Sequence, residues 1–287
     1  MSKGKAFEQI KIELPRKFDK GGNVIREGID GNYATISINR PDRLNAITFQ
    51  TITEISEALI DLELDPDVRC VVLRGVKDYT KKPSFSVGQD LSTVFPPNIK
   101  PNIPIHMAQF IRMYHRYFDQ YEQFSKPLIA AIDGFALGGG TEMALLCDIV
   151  IASKRSTFGL PEILRGILPA GGGTQRLARR IGINRALRVL FFGEMFSAEQ
   201  MHKWGLVTFL VDNDIFEEVV HEKTKWLGNA PTSSLFVIKK CIKFGTRYEQ
   251  LGLIMEQIGH GIISGSGDRA EGRKAFFEKR EPKFKGF

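Results

Sequence analysis

The chain has 287 residues, 43% hydrophobic and 25% charged, an ordinary globular composition with room for one large domain or a domain with an appended subdomain. No apolar run approaches the roughly 20 residues of a membrane-spanning helix, and the start lacks the pattern of a signal or transit peptide. We therefore expect a cytoplasmic protein without membrane association. Three widely spaced cysteines and isolated histidines exclude a disulfide framework and a recognisable metal site.

Strands and helices alternate in the first two thirds of the chain. Half-buried strands are expected at residues 7–13 and 33–38, separated by a tight turn at Gly21–Gly22. Apolar residues at helical spacing predict a helix from residue 45 to about residue 65. The remaining predictions here are buried strands at 68–73, 128–132 and 148–152 and helices at 104–125 and 138–147. This alternation predicts an α/β fold with parallel strands joined by right-handed crossovers.

After a strand-like run at 206–211, the pattern changes to helices alone. They are expected at 214–228, 232–245, 249–263 and 268–280. The change predicts a core over residues 1–210, with an N-terminal hairpin extension over about 1–30, followed by a helical C-terminal subdomain over 211–287. The proline-rich segment 95–104 is expected to be a surface loop beside a binding site.

The strongest local signal is a glycine cluster at residues 134–142 (GFALGGGTE), which follows a buried strand and opens a helix. Backbone N–H groups at a helix start lack partners, and glycine lets a ligand approach them closely. Such a start suits a phosphate or the oxyanion of a reacting carbonyl. Neither this cluster nor that at 171–173 fits a Walker A or dinucleotide-binding loop, which favours the oxyanion. The alternative is that the glycines only permit tight helix–strand packing.

Two glutamates accompany the glycine clusters. Glu142 lies just inside the helix, and Glu162 precedes the second cluster, each among apolar neighbours. Desolvation raises the pKa of a carboxyl group, so two such groups could move two protons across a carbon–carbon bond. The alternatives are a first-turn acid that favours the helix dipole for Glu142 and a solvated loop residue for Glu162. No GxSxG elbow or Cys–His motif supports nucleophilic catalysis.

Five segments, in order along the chain, resemble the motifs of the crotonase (enoyl-CoA hydratase/isomerase) superfamily. They are RPDRLNA at 40–46, FSVGQDL at 85–91, IDGFALGGGTE at 132–142, FGLPE with the following glycines and GGTQR at 158–176, and FFEKR at 276–280. The similarity extends over about residues 30–287 and is greatest to enoyl-CoA hydratases, also called 3-hydroxyacyl-CoA dehydratases. Several independent motifs in register make it specific.

The resemblance implies a crotonase-type spiral of ββα units with a helical C-terminal trimerisation subdomain, forming a homotrimer or a hexamer of two stacked trimers. It implies that the backbone N–H groups of Gln89 and Gly139 bind the thioester carbonyl of an acyl-CoA substrate. Glu142 and Glu162 would hold one water for attack at C3 and deliver a proton to C2. The predicted supporting residues of the acyl pocket are Gly138, Pro161, Ala170 and Gly171. No cofactor is expected besides the CoA of the substrate itself.

The predicted CoA contacts are Arg43, Ser86, Val87, Asp90, Leu91, Phe276 and Lys279. By resemblance, Lys279 reaches the CoA phosphates, often those of a neighbouring subunit, and Phe276 lies beside adenine or pantetheine. The net charge of +7 attracts anions of any kind or serves solubility. The CoA phosphates are the expected partner of this positive charge. Nucleic acid is not the expected partner, because the sequence contains no RNA-binding signature. Ala170 departs from the family pattern, because hydratases often have glycine there.

Reversible hydration of a short-chain enoyl-CoA is therefore the expected reaction. A double-bond isomerase is the alternative within enzymes, since two glutamates can also carry a proton between C2 and C4. From other classes, an RNA-binding relative of the family and a catalytically silent acyl-CoA binder stay open. The intact pair of glutamates argues against the silent binder.

Overall fold

The computed structural model describes residues 7–78, 82–92, 95–245, 257–258, 262 and 265–286. The strands in chain order are β1 (Ile10–Glu13), β2 (Lys17–Phe18), β3 (Val24–Arg26), β4 (Tyr33–Ile38), β5 (Cys70–Gly75), β6 (Ser84–Ser86), β7 (Leu128–Ile132), β8 (Phe135–Leu137), β9 (Ile149–Ser153), β10 (Thr157–Gly159), β11 (Met195–Ser197) and β12 (Phe209–Val211). The α-helices are α1 (Phe49–Leu64), α2 (Pro104–Gln123), α3 (Gly139–Leu146), α4 (Gly173–Ile181), α5 (Ile183–Phe192), α6 (Ala198–Trp204), α7 (Phe216–Asn229), α8 (Thr232–Gly245) and α9 (Gly267–Glu278). Short 3-10 helices span Pro41–Arg43 and Pro161–Arg165.

Two sheets are built by one spiralling path of the chain. The six-stranded sheet has the order β1-β4-β5-β7-β9-β12, parallel except for the β1–β4 pair. The four-stranded sheet has the order β11-β10-β8-β6, parallel except for the β10–β11 pair. Successive turns give one strand to each sheet: β5 and β6, then β7 and β8, then β9 and β10. The predicted α/β spiral of ββα units, with helices at the C-terminal end, is confirmed.

A glycine turns the chain from the first sheet into the second. Gly134, between β7 and β8, has φ +81°, and a methyl group there would lie 1.8 Å from the Pro83 carbonyl oxygen. Only glycine combines this backbone conformation with so close a contact. Asp133 beside it accepts hydrogen bonds from Ser153 Oγ at 2.7 Å and Arg155 Nε at 2.6 Å. The bend therefore fixes where α3 begins.

Helix α2 packs one aromatic face onto the core. Phe110, Tyr114, Phe118 and Tyr121 are all buried and recur at helical spacing. Fully burying one such side chain stabilises a fold by about 1.5–3 kcal/mol, before the entropy of ordering it is subtracted. Helix α2 also contacts α3.

Some strands and helices differ in their bounds from those expected from the sequence. Strand β1 is the edge of the main sheet, so only β2 and β3 form the separate hairpin, which Lys17 ties to Asp67 at 2.7 Å. Helix α1 begins at Phe49 rather than residue 45, because Leu44 and Asn45 have positive φ angles. The helix predicted at 249–263 lies largely outside the described residues. Among the described helices, none is both long and apolar enough to cross a bilayer.

Candidate active site

Two backbone N–H groups lie close together where the loop after β6 meets the start of α3. Gly139 is the first residue of α3, so its N–H has no acceptor within the helix. Gln89 forms an isolated β-bridge with Ile47, in which the hydrogen bonds are made by the residues on either side of Gln89. Ile47 N donates to Gly88 O and Asp90 N donates to Ile47 O, both at 2.8 Å. The N–H of Gln89 therefore points away from that pairing. A methyl group on Gly139 would lie 3.6 Å from Gln89 N, so the backbones that carry the two N–H groups are neighbours at this point.

Buried polar contacts hold the loop that carries these donors. Asn45 is 1% exposed; its Nδ2 donates to Ser84 O at 2.7 Å, and its Oδ1 accepts from Arg40 N at 3.0 Å. Arg40 Nη2 donates to Asp90 Oδ2 at 2.8 Å. Hydrogen bonds from Ser92 and Arg40 lower the pKa of Asp90 to about 2. Asp90 is therefore ionised at physiological pH and engaged within the protein.

Glu142 lies in the first turn of α3 and is 5% exposed. Its Oε1 accepts hydrogen bonds from Gly171 N at 2.7 Å and Gly173 N at 2.8 Å. Burial raises the pKa of Glu142 to about 7; the two N–H groups oppose this rise, and nearby Glu162 adds to it. The carboxyl group can therefore give or take a proton near neutral pH.

Glu162 enters from the 3-10 helix Pro161–Arg165. Its Oε1 lies beside Gly138, where a methyl group would come within 3.0 Å of that oxygen. Its Oε2 is buried without a hydrogen-bond partner among the described residues, and burial raises the pKa of this carboxyl group. Because Gly138 precedes Gly139, the structure brings both glutamates and both N–H groups to one place.

Side chains of α2 cover the pair of carboxyl groups. A methyl group on Gly171 would lie 2.5 Å from Phe118 Cε2, so this ring closes over the turn. Tyr114, which is buried, donates its hydroxyl to Gln89 Oε1 at 3.3 Å. His115 Nε2 lies 2.7 Å from the Ala170 carbonyl oxygen, which can only accept a hydrogen bond. The α2 side of the site is thus mainly aromatic, with a polar contact from Tyr114 to the donor loop and one from His115 to the glycine turn.

The remaining predicted residues near the loop occupy different positions. Ser86 is fully buried and its Oγ accepts from Gly88 N at 3.1 Å, so its hydroxyl serves the loop itself. Val87 is half-buried, whereas Leu91 is 71% exposed. Pro161 is the first residue of its 3-10 helix, where its ring fixes the direction of the following turn.

Three predicted CoA contacts lie apart from the glutamates. Arg43 is exposed on the 3-10 helix Pro41–Arg43. Phe276, at the end of α9, is 79% exposed, and Lys279 caps that helix in the left-handed conformation. In the described part of the chain, none of the three has a hydrogen bond or ring contact with the paired glutamates or the two donors. Their role in CoA binding stays a prediction.

Sequence reasoning missed two arginines that support the site. Arg40 pairs with Asp90, and Arg176 Nη1 donates to Gly171 O at 2.9 Å. Both stand inside motifs that carried the family resemblance. The signal that could have found them was the position of each arginine inside one of these motifs, close to glycines or to an acidic residue. Spacing in the sequence does not tell which group each arginine contacts.

Comparison with known proteins gives the family. The model of the enoyl-CoA hydratase/isomerase family matches residues 28–286, and the chain belongs to this family. The short-chain-enoyl-CoA hydratase of Clostridium acetobutylicum is 34% identical over 267 residues, 92% of this chain and 97% of that protein. The 1,2-epoxyphenylacetyl-CoA isomerase of Escherichia coli is 31% identical over 261 residues, 90% and 97% of the two chains.

Solved structures agree with this assignment. The crystal structure of an enoyl-CoA hydratase from Bacillus anthracis has a TM-score of 0.83 and 30% sequence identity, covering 98% of this chain and 100% of that one. The predicted family, fold and hydro-lyase class are thereby confirmed. The family also supports an acyl-CoA thioester as the kind of substrate.

Proposed function

We propose that this protein adds water reversibly across the C2=C3 bond of short enoyl-CoA thioesters. The observation that carries the proposal is the meeting of two carboxyl groups, the buried Glu142 and the half-buried Glu162, with two backbone N–H groups that have no acceptor among the described residues. The chemistry moves only protons and hydroxide, so it calls for no group besides the CoA ester. Short chains are proposed from the relative in Clostridium acetobutylicum, whose name specifies them.

The thioester carbonyl is proposed to lie between the N–H groups of Gln89 and Gly139. Addition at C3 pushes electrons through C2 onto the carbonyl oxygen, and two fixed donors stabilise that charge more strongly in the transition state than in the substrate. Removing one such donor costs about 3–4 kcal/mol in comparable enzymes. The donors are main-chain groups, so the side chain of Gln89 is free to contact Tyr114.

The hydrogen bonds of the two carboxyl groups support different roles. Glu142 accepts two N–H bonds, which favour its ionised form, so we assign it as the base that removes a proton from water. The Oε2 of Glu162 is buried and has no donor among the described residues, which favours the protonated form, so we assign Glu162 as the acid that protonates C2. Hydroxide adds to C3 and a proton to C2, and exchange of the Glu142 proton to Glu162 restores the starting state.

CoA binding is proposed to use the basic surface and a second copy of the chain. Arg43, Phe276 and Lys279 offer cationic and aromatic groups for the phosphates and the adenine, and the net charge of +7 attracts the phosphates.

A wide apolar surface runs along the 3-10 helix Pro161–Arg165, the residues after it, and α5 through β11. Its exposed members are Ile163, Leu164, Ile167, Leu168, Ile183, Leu187, Phe191, Phe192 and Met195. Such a surface supports the predicted trimer or hexamer, because isolated chains rarely leave this much apolar area in water.

Loss of the enoyl thioester absorbance of crotonyl-CoA tests the proposal. The parent should consume crotonyl-CoA, while Glu142→Gln and Glu162→Gln should each lower kcat by at least about 10², the usual effect of removing a general acid or base. Glu27→Gln, at an exposed position after β3 and apart from the proposed site, is the matched control and should behave as the parent. A parent that binds CoA esters but leaves crotonyl-CoA unchanged would contradict the proposal.

Double-bond isomerisation is the second candidate, because the family model that matches the chain includes enoyl-CoA isomerases as well as hydratases. It requires the pair of carboxyl groups to move a proton between C2 and C4. Incubation of a 3-enoyl-CoA in deuterated water separates the two reactions. Deuterium at C4 with little 3-hydroxyacyl product would support isomerisation over hydration.

A further inference from the structure

Arg176 connects helix α2 to the turn that supplies the donors for Glu142. Its Nη1 donates to Gly171 O at 2.9 Å, and its Nη2 donates to Glu122 Oε2 at 2.8 Å. A methyl group on Gly172, which has φ +95°, would lie 1.9 Å from Nη1, so the guanidinium group packs directly on the turn. The arginine side chain is 13% exposed. An ion pair this enclosed, seated on a glycine turn, restricts how that turn can move.

We propose that Arg176 is a positioning residue for the general base: by holding the Gly171 carbonyl, it keeps the N–H groups of Gly171 and Gly173 directed at Glu142 Oε1. The N–H and carbonyl on either side of the Gly171 Cα share its dihedral angles, so fixing the carbonyl also limits the direction of the N–H. Glycine has the widest backbone freedom of any residue, which makes an external anchor effective here. The inference rests on the proposed reaction, in which Glu142 accepts a proton from water.

The charges around Glu142 give the arginine a second effect. Helices α2 and α4 and strands β6 and β8 pack against α3. Helix α4 brings Arg176, α2 brings Glu122 and His115, the 3-10 helix brings Glu162, and β6 and β8 bring no charged side chain. Arg176 lowers the pKa of Glu142, whereas Glu162 raises it. Removing the arginine should therefore loosen the carboxylate and also raise its pKa.

The pH profile of kcat/KM for crotonyl-CoA hydration distinguishes this role from general structural support. Arg176→Gln should move the acid limb upward by about half to one pH unit, which makes the loss near pH 6 about 3–10-fold larger than the loss near pH 9. Arg176→Lys keeps the charge but cannot form both contacts, so its rate should fall at every pH without a shift of the limb. An arginine needed only for folding would lower the rate by one factor throughout.

Arg179→Gln is the matched control, because Arg179 is an exposed arginine on the same helix and the charge lost is the same. Its profile should match the parent. Carbon-13 NMR of glutamate carboxyl groups, assigned with Glu142→Gln, follows the titration of Glu142 without any turnover. The midpoint should rise in Arg176→Gln and stay unchanged in Arg179→Gln.

The two readouts separate the inference from the proposed reaction. If the parent does not hydrate crotonyl-CoA but the Glu142 titration midpoint is raised in Arg176→Gln, the proposed reaction is wrong and the positioning role still stands. A parent that hydrates crotonyl-CoA, with the midpoint and limb of Arg176→Gln unmoved, would overturn the positioning role. Should Arg176→Gln not fold, Arg176→Lys decides together with its urea unfolding: a lowered rate at parental unfolding free energy supports the role. A parental rate, or a rate that falls only as far as the folded fraction does, overturns it.

Discussion

Gly171 donates its backbone N–H to Glu142 Oε1 at 2.7 Å, although 29 positions separate the two residues. The bond joins the first turn of α3 to the turn that precedes α4, and Glu162 comes from the 3-10 helix between them. Two successive turns of the spiral therefore supply the proposed base, its donors and the proposed acid. Because the site depends on how these turns stack, a methyl group added in the glycine turn should disturb it.

Gly171→Ala should disable the site more than it destabilises the fold. The added methyl group would lie 2.5 Å from Phe118 Cε2 and 2.7 Å from Glu142 Oε2, so the turn must shift away from the carboxylate. We expect kcat to fall by about 10–10², since small displacements of catalytic groups have effects of that size. Overpacking of this kind costs about 1–3 kcal/mol of unfolding free energy. Steady-state hydration of crotonyl-CoA and urea unfolding measure the two effects.

Gly265→Ala is the control for that substitution. The nearest atom to a methyl group there is Ile262 O at 3.8 Å, an ordinary contact distance. Its kinetics should match the parent. An unchanged kcat in Gly171→Ala would show that the turn yields without disturbing Glu142.

Glu142→Gln should change how stability depends on pH. Burial raises the pKa of Glu142 from its usual 4.5 to about 7, so the folded protein binds an extra proton between these values. Because the folded state binds more protons than the unfolded one there, stability falls as pH rises through that window. The substitution removes this loss, so the variant should gain up to about 3 kcal/mol over the parent between about pH 5 and pH 8.

Urea unfolding at several pH values measures this difference. Glutamine can still accept the N–H bonds of Gly171 and Gly173, so the contacts at Oε1 are preserved. Glu57→Gln on α1, an exposed position, should show no comparable change. A difference between parent and Glu142→Gln that stays constant from acid to alkaline pH would mean that Glu142 titrates normally.

Elements with a strong apolar signal, either a helical period over many residues or a continuous apolar run, were predictable from the sequence. The prediction for α8 matches its observed bounds, Thr232–Gly245, and that for β7 matches Leu128–Ile132. The short strands of the second sheet, β6, β8, β10 and β11, were not predicted. Each has three residues, too few for an alternating pattern to be distinguished from a loop.

The sequence named the residues of the candidate site but not the contacts that support them. Motif resemblance named Glu142, Glu162, Gln89 and Gly139, and the structure places them together. The pairing of Arg40 with Asp90 depends on how the 3-10 helix and the loop after β6 approach each other. Residues 50 positions apart carry no local signal of contact. Ser86 and Asp90 were predicted to contact CoA; the structure shows the side chain of Ser86 bonded to Gly88 within the loop and that of Asp90 bonded to Arg40.

Asp90→Asn should loosen the donor loop at every pH. Hydrogen bonds from Ser92 and Arg40 lower the pKa of Asp90 to about 2, so its charge is constant over the assay range. The substitution leaves the largely buried Arg40 guanidinium without its ionic partner, which costs about 1–3 kcal/mol. We expect kcat to fall about tenfold, by the same factor from acid to alkaline pH. A pH-dependent loss would contradict this account, and Asp78→Asn in the exposed stretch before the loop serves as control.

The apolar surface on α5 should hold the chains together. Phe191 is 68% exposed and Phe192 is 66% exposed, an arrangement that is typical of an interface between copies. Phe191→Glu should reduce the mass measured by sedimentation velocity to that of one 32.3 kDa chain. Leu64→Glu, at a position 83% exposed on α1, should leave the mass of the parent unchanged. Equal masses for the parent and Phe191→Glu would place the interface elsewhere.

Lys279 should act on the CoA phosphates and not on the chemistry. It lies at the end of α9, apart from Glu142 and Glu162, so Lys279→Gln should raise KM for crotonyl-CoA several-fold while kcat stays near that of the parent. Crotonyl-pantetheine, which has the same reacting thioester but no phosphates, should be hydrated equally well by parent and variant. Lys20→Gln, on the exposed N-terminal hairpin, removes the same charge at a position far along the chain. It should leave KM and kcat unchanged for both substrates. Because the two substrates differ only beyond the pantetheine, a loss shared by both would assign Lys279 to the fold or the acyl site, whereas a loss confined to crotonyl-CoA would place its ammonium group at the phosphates.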